Sequence, residues 1–119
     1  MQYALLFYNP PHTQIPASER EAVIGEMLAE MRAWHEELQR AGVFRTSLRL
    51  APVDTATSLR REGGDVLVTD GAFAETKEIL GGFVLLECAD LDEALSFAKR
   101  CPIVRIGTVE VRPEFGAAR

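Results

Sequence analysis

Two segments of this sequence are apolar on both sides of a strand-like alternation, and this feature restricts the fold more than any other. In residues 2–8 both alternating sets are hydrophobic or aromatic: Tyr3, Leu5 and Phe7 on one side, Ala4, Leu6 and Tyr8 on the other. Residues 82–88 show the same two-sided pattern. A strand buries both sets only when both faces of its sheet are covered. The fold therefore needs a layer on each side of these strands.

The segments between and around these strands give the order of the other elements. An apolar stripe with three- and four-residue steps predicts a long helix, opened by a capping box at Ser18 and Glu21 and ended by Gly42. Asp90, with Glu93 three residues later, predicts the start of a second helix. Short alternating runs predict four further strands, at residues 43–50, 56–61, 65–69 and 104–111, the middle two joined by a glycine hairpin turn.

This order predicts an α+β fold, namely a ferredoxin-like βαββαβ pattern with an inserted β-hairpin. The 119 residues fit one domain spanning 1–119. Because two helices cover only one face of the sheet, the other face needs a separate cover, and the simplest is the same sheet of a second copy. The sequence therefore predicts a homodimer.

Charge and composition exclude several classes of protein. The formal net charge of −5 and the lack of a basic, aromatic-rich cluster argue against a nucleic-acid partner. No apolar run approaches the roughly 20 residues that cross a membrane, and no signal peptide is recognisable, so a cytoplasmic protein without a membrane partner is expected. Cys88 and Cys101 form no CxxC motif, and a disulfide between them is left open. No metal-ligand spacing or cofactor motif is present, so no metal and no cofactor is expected.

Three segments carry a resemblance to a known family. They are VTDGAFAETKE at 68–78, continued by LGGF at 80–83; ADLDEAL at 89–95; and GTVEVRP at 107–113. In this order they closely resemble the signature of the DGPF-domain group of YCII-related proteins. The resemblance implies a dimeric α+β barrel and no settled activity. Two departures stand out: Ala72 replaces the motif proline, and Met31 aligns with a helix histidine that the YCII branch is proposed to use with an aspartate.

Three residues are candidates for acid–base chemistry. Asp70 lies where a strand gives way to a glycine turn, as a base or a ligand-binding carboxylate would, although Asp-Gly is also a common turn pair and that interpretation is favoured. His12 lies in a proline-rich loop and His35 on the edge of the helix stripe, one turn beyond Met31. Water exposure explains His12, and core packing explains His35, without any catalytic role.

The loop after Asp70 is the candidate ligand-binding segment, comprising Asp70, Gly71, Phe73, Glu75 and Lys77. Phe73 is expected to bury its ring and anchor this loop. Gly81 and Gly82 fit either the close approach of a backbone or ligand, or a bulge. Arg45 and Arg49 fit an anion clamp, with pairing to acidic neighbours favoured.

Two functions follow from these residues. The first is a dimeric small-molecule-binding or regulatory module, favoured because no complete catalytic constellation is recognisable. The alternative is an enzyme of the dimeric α+β barrel type, using Asp70 with a histidine for proton transfer on a small organic substrate. A fold of this kind supports many chemistries and selects none.

Overall fold

The two strands that are apolar on both sides lie next to each other at the centre of an antiparallel sheet. The structure, a computed structural model, describes residues 1–10, 16–74 and 76–116. The strands are β1 (Gln2–Asn9), β2 (Phe44–Arg49), β3 (Thr57–Glu62), β4 (Asp65–Asp70), β5 (Ile79–Glu87) and β6 (Thr108–Pro113). The helices are α1 (Ala17–Arg40) and α2 (Leu91–Ala98), and Val53–Thr55 and Pro102–Arg105 form short 3₁₀ turns.

Four strands form the main sheet in the order β2-β5-β1-β6, and all of its pairings are antiparallel. With α1 after β1 and α2 after β5, this is the ferredoxin-like arrangement, which confirms the predicted fold class. Strands β3 and β4 form a separate two-stranded hairpin. Its turn contains two glycines, and Gly63 takes φ +63°, a value that glycine reaches without steric cost.

The core lies on the face of the sheet that carries both helices. Tyr3, Leu5 and Phe7 of β1 alternate with half-buried residues, as do Val84 and Leu86 of β5. Helix α1 contributes Trp34 and Leu38 to this core. The indole Nε1 of Trp34 donates a hydrogen bond to the carbonyl oxygen of Phe97 at 3.0 Å, which ties α1 to the end of α2.

The molecule is flat, because one helix layer lies on one sheet. Its extents are 46 × 45 × 19 Å, and its radius of gyration is 16.5 Å. A compact chain of this length would have a radius of gyration of roughly 13–14 Å. The excess reflects the hairpin and an opposite sheet face that neither helix covers.

The two predicted capping boxes had different outcomes. At α2 the prediction is confirmed: the Asp90 carboxylate accepts from the Glu93 amide at 2.9 Å, and the Glu93 carboxylate accepts from the Ala89 amide at 2.9 Å. At α1 it is wrong, because the helix begins at Ala17 after Pro16, and no side chain caps it. Ser18 is thus the second residue of the helix, where its hydroxyl is no longer at the capping position.

The last strand begins later than predicted. Residues 104–107 belong to a turn after Pro102, in which the Gly107 amide donates to the carbonyl oxygen of Ile103 at 2.8 Å. Strand β6 therefore starts at Thr108, and it ends at Pro113, two residues beyond the predicted end at residue 111.

Candidate functional site

A cavity of about 690 Å³ opens between the first half of α1 and the core face of the sheet. Among the described residues, helix α1 buries side chains fully only in its second half. Trp34 and Leu38 are buried there, whereas Ile24 and Met27 are half-buried and Leu28 is 41% exposed. The apolar stripe that predicted a core-facing helix therefore lines an open space along its first half.

The walls of this cavity are mainly hydrophobic. Met27 and Met31 line it from the helix, and Phe7 and Val84 line it from the sheet. Unbranched methionine side chains adapt their shape to different contents. The polar residues that reach the lining are few: Asn9, Arg32, His35, Ser47 and Arg49.

His35 presents one ring nitrogen that its own helix does not occupy. Its Nδ1 lies 2.8 Å from the carbonyl oxygen of Met31. Because a carbonyl oxygen only accepts, this nitrogen is the donor, and Nε2 of the neutral ring carries the lone pair. Edge contacts with Trp34 (5.5 Å between centroids) and Phe44 (5.8 Å) hold the ring in place. His35 lines the cavity, and Nδ1 is the ring nitrogen that its own helix occupies.

Two adjacent glycines form part of the sheet wall. A Cβ on Gly82 would lie 2.6 Å from the carbonyl oxygen of Leu48, so this position requires glycine. Gly81 is the extra residue of a bulge, because Phe7 pairs with Gly82 and Tyr8 pairs with Leu80. Of the two interpretations of the sequence, the close approach of a backbone applies to Gly82 and the bulge applies to Gly81. The side chain of Asn9 lies over Gly81, and its buried Oδ1 has no hydrogen-bond partner in the described structure.

The charged side chains around the cavity are all cationic. Arg32 projects from α1, and Arg49 from the end of β2. Neither guanidinium group forms an ion pair or hydrogen bond with any residue in the ranges that the structure describes. Arg100 and Arg105, by contrast, pair with Glu37 and Glu30. No described residue of the lining is acidic.

Arg45 and Arg49 do not act together. Strand β2 is irregular between Phe44 and Thr46, so strict alternation does not relate the two arginines. The Arg45 guanidinium donates instead to the carbonyl oxygens of Gly42 and Phe44, at 3.3 and 3.1 Å. Only Arg49 reaches the cavity.

Asp70 is exposed at the end of β4 and is not part of the cavity lining. Its side chain forms no hydrogen bond or ion pair with the described residues, His35 included. Gly71 takes φ +91°, and its amide donates to the carbonyl oxygen of Ala56 at 2.7 Å, which confirms the glycine turn. His12 and Glu75 lie outside the described residues.

The expectation that Phe73 buries its ring is wrong for the single chain, since Phe73 is 77% exposed. The reason is that its loop follows the projecting hairpin and not the core. Phe73 and Ala74 line a shallow cleft with Ser58, Leu59 and Arg60 of β3. Lys77 is also exposed.

The most prominent cavity residue that the sequence did not single out is Arg32. In the sequence, Arg32 is a cationic residue beside the apolar stripe, three residues before His35. Arginines on the exposed face of a helix show the same pattern, so the pattern does not identify a cavity residue. Met27 and Met31 belong to the apolar stripe of α1, but their spacing does not distinguish a packed core from a cavity wall.

Both cysteines are free thiols in the core. Burial raises the pKa of Cys88 from 9.0 to about 11, with a smaller contribution from the nearby Glu93 carboxylate. Burial also raises the pKa of Cys101 to about 11. In the described ranges, no group of three or more His, Cys, Asp or Glu side chains is arranged to hold a metal ion. Of the helices described, none has the length and hydrophobicity needed to span a membrane.

Comparisons with known proteins agree with this fold. An uncharacterised protein of Rhizobium meliloti (strain 1021) is 42% identical over 117 residues, which cover 95% of this chain and 91% of the relative. The solved structure of 5-chloro-2-hydroxyhydroquinone dehydrochlorinase from Burkholderia phenoliruptrix AC1100, in complex with 2,5-dihydroxybenzoquinone, superposes with a TM-score of 0.51. The superposition covers 96% of this chain and 93% of the dehydrochlorinase chain, and the two sequences are 16% identical. The likeness therefore concerns the fold alone. The profile of the YCII-related domain matches residues 1–115, and the chain therefore belongs to the YCII-related family.

Proposed function

We propose that this chain is a single-domain, cytoplasmic, homodimeric protein that binds a small organic molecule in the cavity between α1 and the sheet. The observation that carries the proposal is the cavity itself. Its volume of about 690 Å³ lies within the range of roughly 300–1,000 Å³ that is usual for ligand pockets. Mainly apolar walls with a few polar groups are also typical of such pockets.

The dimer is supported by the sheet face that carries no helix. Cross-strand pairs on this face bring together Leu6 with Phe83, Ala4 with Leu85, and Leu48 with Phe83. Leu48 is 54% exposed. An apolar sheet face of this kind is stable in water when a second layer covers it, and a two-fold copy supplies a matching layer.

The experiment fills the cavity without disturbing the outside of the helix. Met27→Trp puts a large ring into the cavity, and Ala29→Trp, the matched control, puts the same ring on the exposed side of α1. Binding is measured by the fluorescence of N-phenyl-1-naphthylamine, a neutral probe that brightens in apolar surroundings. We expect saturable binding to wild type and to Ala29→Trp, with affinity about tenfold or more weaker in Met27→Trp. Equal binding to all three, or no saturable binding, would contradict the proposal.

The second candidate function is an enzyme, and the position of His35 favours it. Nε2 of the neutral ring has its lone pair free of the helix, as the removal of a proton from a bound molecule requires. The dehydrochlorinase of similar fold was solved with a small quinone, which supports a small organic substrate here. Asp70 lies away from this cavity, so His35 is the residue on which the enzyme proposal rests.

The loop residues Asp70, Gly71, Phe73, Glu75 and Lys77 remain a proposed second ligand surface. The cleft that Phe73 shares with Ser58 and Leu59 supports it. Phe73→Ala and Asp70→Asn separate the two locations, because neither residue lines the cavity. If ligand affinity falls in these variants and not in Met27→Trp, the loop is the binding surface.

A further inference from the structure

We infer that the ligand of this cavity is an organic acid, with its carboxylate at Arg49 and Arg32 and an apolar body against the methionine-lined wall. The inference rests on the proposed function, since it specifies the chemical class that the same cavity takes. Its basis is the juxtaposition of an apolar cavity, whose described lining holds no carboxylate, with two guanidinium groups that have no partner among the described residues.

The charge of the described cavity lining is opposite in sign to the net charge of the chain. The whole chain has a formal net charge of −5, yet every charged residue of the described lining is an arginine. Two arginines nearby are paired with acids, Arg100 with Glu37 and Arg105 with Glu30. The guanidinium fork fits a carboxylate through two parallel hydrogen bonds, so Arg32 and Arg49 are free to supply this geometry to a ligand.

The exposure of the two arginines fixes the orientation of the ligand. Both arginines line the cavity and are themselves exposed, so their guanidinium groups keep part of their hydration, and we place the charged group of the ligand at the solvent side of the cavity. Met27, Met31, Phe7 and Val84 form the apolar walls. An amphipathic acid matches this division, with the charged group at the mouth and the apolar body inside.

A carboxylate fits better than a phosphate ester. Phosphate groups are usually bound by several backbone amides at a helix N-terminus or in a glycine-rich nest. The glycines with positive φ are Gly42, Gly63, Gly71 and Gly116, and none of them lines the cavity. The lining contribution of α1 starts at Val23, beyond its first turn. In the described lining, the cationic groups that can bind an anion are the side chains of Arg32 and Arg49.

The test compares each acid with its neutral amide. The probes are 2-naphthoate and 2-naphthamide, and octanoate and octanamide, each displacing N-phenyl-1-naphthylamine from the purified protein at pH 7. We expect wild type to bind each acid about tenfold or more tighter than its amide, as a charge-assisted fork interaction provides. Arg49→Gln and Arg32→Gln should each reduce this ratio, and Arg49→Lys should keep part of it. Amide affinity should stay unchanged.

Arg45→Gln is the matched control, because Arg45 lies on the same strand and contacts only backbone carbonyls. It should keep the full preference for acids. Equal affinity for acid and amide, or a naphthoate that fails to displace a bound probe, overturns the inference and leaves the cavity as a ligand site. An assay in which N-phenyl-1-naphthylamine itself does not saturate the protein overturns the proposed function and the inference together.

Discussion

The carbonyl oxygen of Leu48 lies 2.6 Å from the place that a Cβ on Gly82 would occupy. This backbone atom cannot move away without disturbing the pairing of β2 with β5. A Cβ on the neighbouring Gly81 would instead meet the Nδ2 atom of Asn9 at 2.7 Å, the far end of a side chain that can rotate. The two adjacent glycines thus differ in what surrounds them.

Gly82→Ala should therefore lower the free energy of unfolding by about 2 kcal/mol, as is usual for overpacking against a fixed neighbour. Gly81→Ala should cost less than about 1 kcal/mol, because Asn9 yields. Urea denaturation of both variants measures the difference. Equal losses would mean that the Leu48 carbonyl oxygen is not the obstacle.

The two S/D-x-x-E sequences make a second matched pair. Asp90 caps α2 through the Glu93 amide, whereas Ser18 lies inside α1 and caps nothing. Asp90→Ala should destabilise the protein by about 1 kcal/mol, and Ser18→Ala should change its stability by less than about 0.5 kcal/mol. Thermal unfolding of the two variants tests this. A larger loss for Ser18→Ala would show that α1 begins as its sequence first suggested.

These helix starts show which parts of the fold could be predicted from the sequence and which could not. The alternating pattern in β1 and β5 predicts strands covered on both faces, because the side chains of both alternating sets are apolar. At α1, Pro16 lies two residues before Ser18, and a proline there allows the helix to begin at Ala17, before the expected cap. The S-x-x-E motif is present in the sequence, but the helix begins next to Pro16, before the motif.

The candidate site was harder to predict than the fold. The apolar stripe of α1 has the same spacing whether it packs on a sheet or lines a cavity, and the distance between helix and sheet is set by tertiary geometry. Met27 thus looked like a core residue. Phe73 looked buried because aromatic rings usually are, but the hairpin carries its loop away from the core. His35 was a candidate, and only the structure shows which ring nitrogen is occupied.

The proposed homodimer gives a third prediction. Leu85 lies on the sheet face that carries no helix, where it pairs with Ala4. Wild type should sediment at twice the 13.2 kDa chain mass, and Leu85→Glu should sediment as a monomer, because a buried carboxylate facing an apolar layer is unfavourable.

Leu91→Glu is the control for this experiment, since Leu91 is 42% exposed at the start of α2. It introduces the same charge and should stay dimeric. A wild-type protein that sediments at the mass of one chain at micromolar concentration would remove the dimer from the proposed function.

The buried thiols predict how stability depends on pH. Folding raises the pKa of Cys88 and Cys101 from 9.0 to about 11, so the folded state favours the protonated thiols. A raised folded pKa gives stabilisation that is complete below the unfolded pKa, near pH 9, and is lost as pH rises to 11. Each thiol contributes about 2–3 kcal/mol to this decline. The free energy of unfolding from urea titrations should therefore fall between pH 9 and 11.

Cys88→Ala and Cys101→Ala isolate the contribution of the two thiols to this pH dependence. Each variant starts from a lower stability, because a buried sulfur is lost, but its decline above pH 9 should be shallower than that of wild type. Since the thiolate is the reactive species, both cysteines should also react slowly with a disulfide reagent at pH 8, and quickly once urea unfolds the chain. Parallel pH profiles for wild type and both variants would show that burial does not hold these thiols protonated.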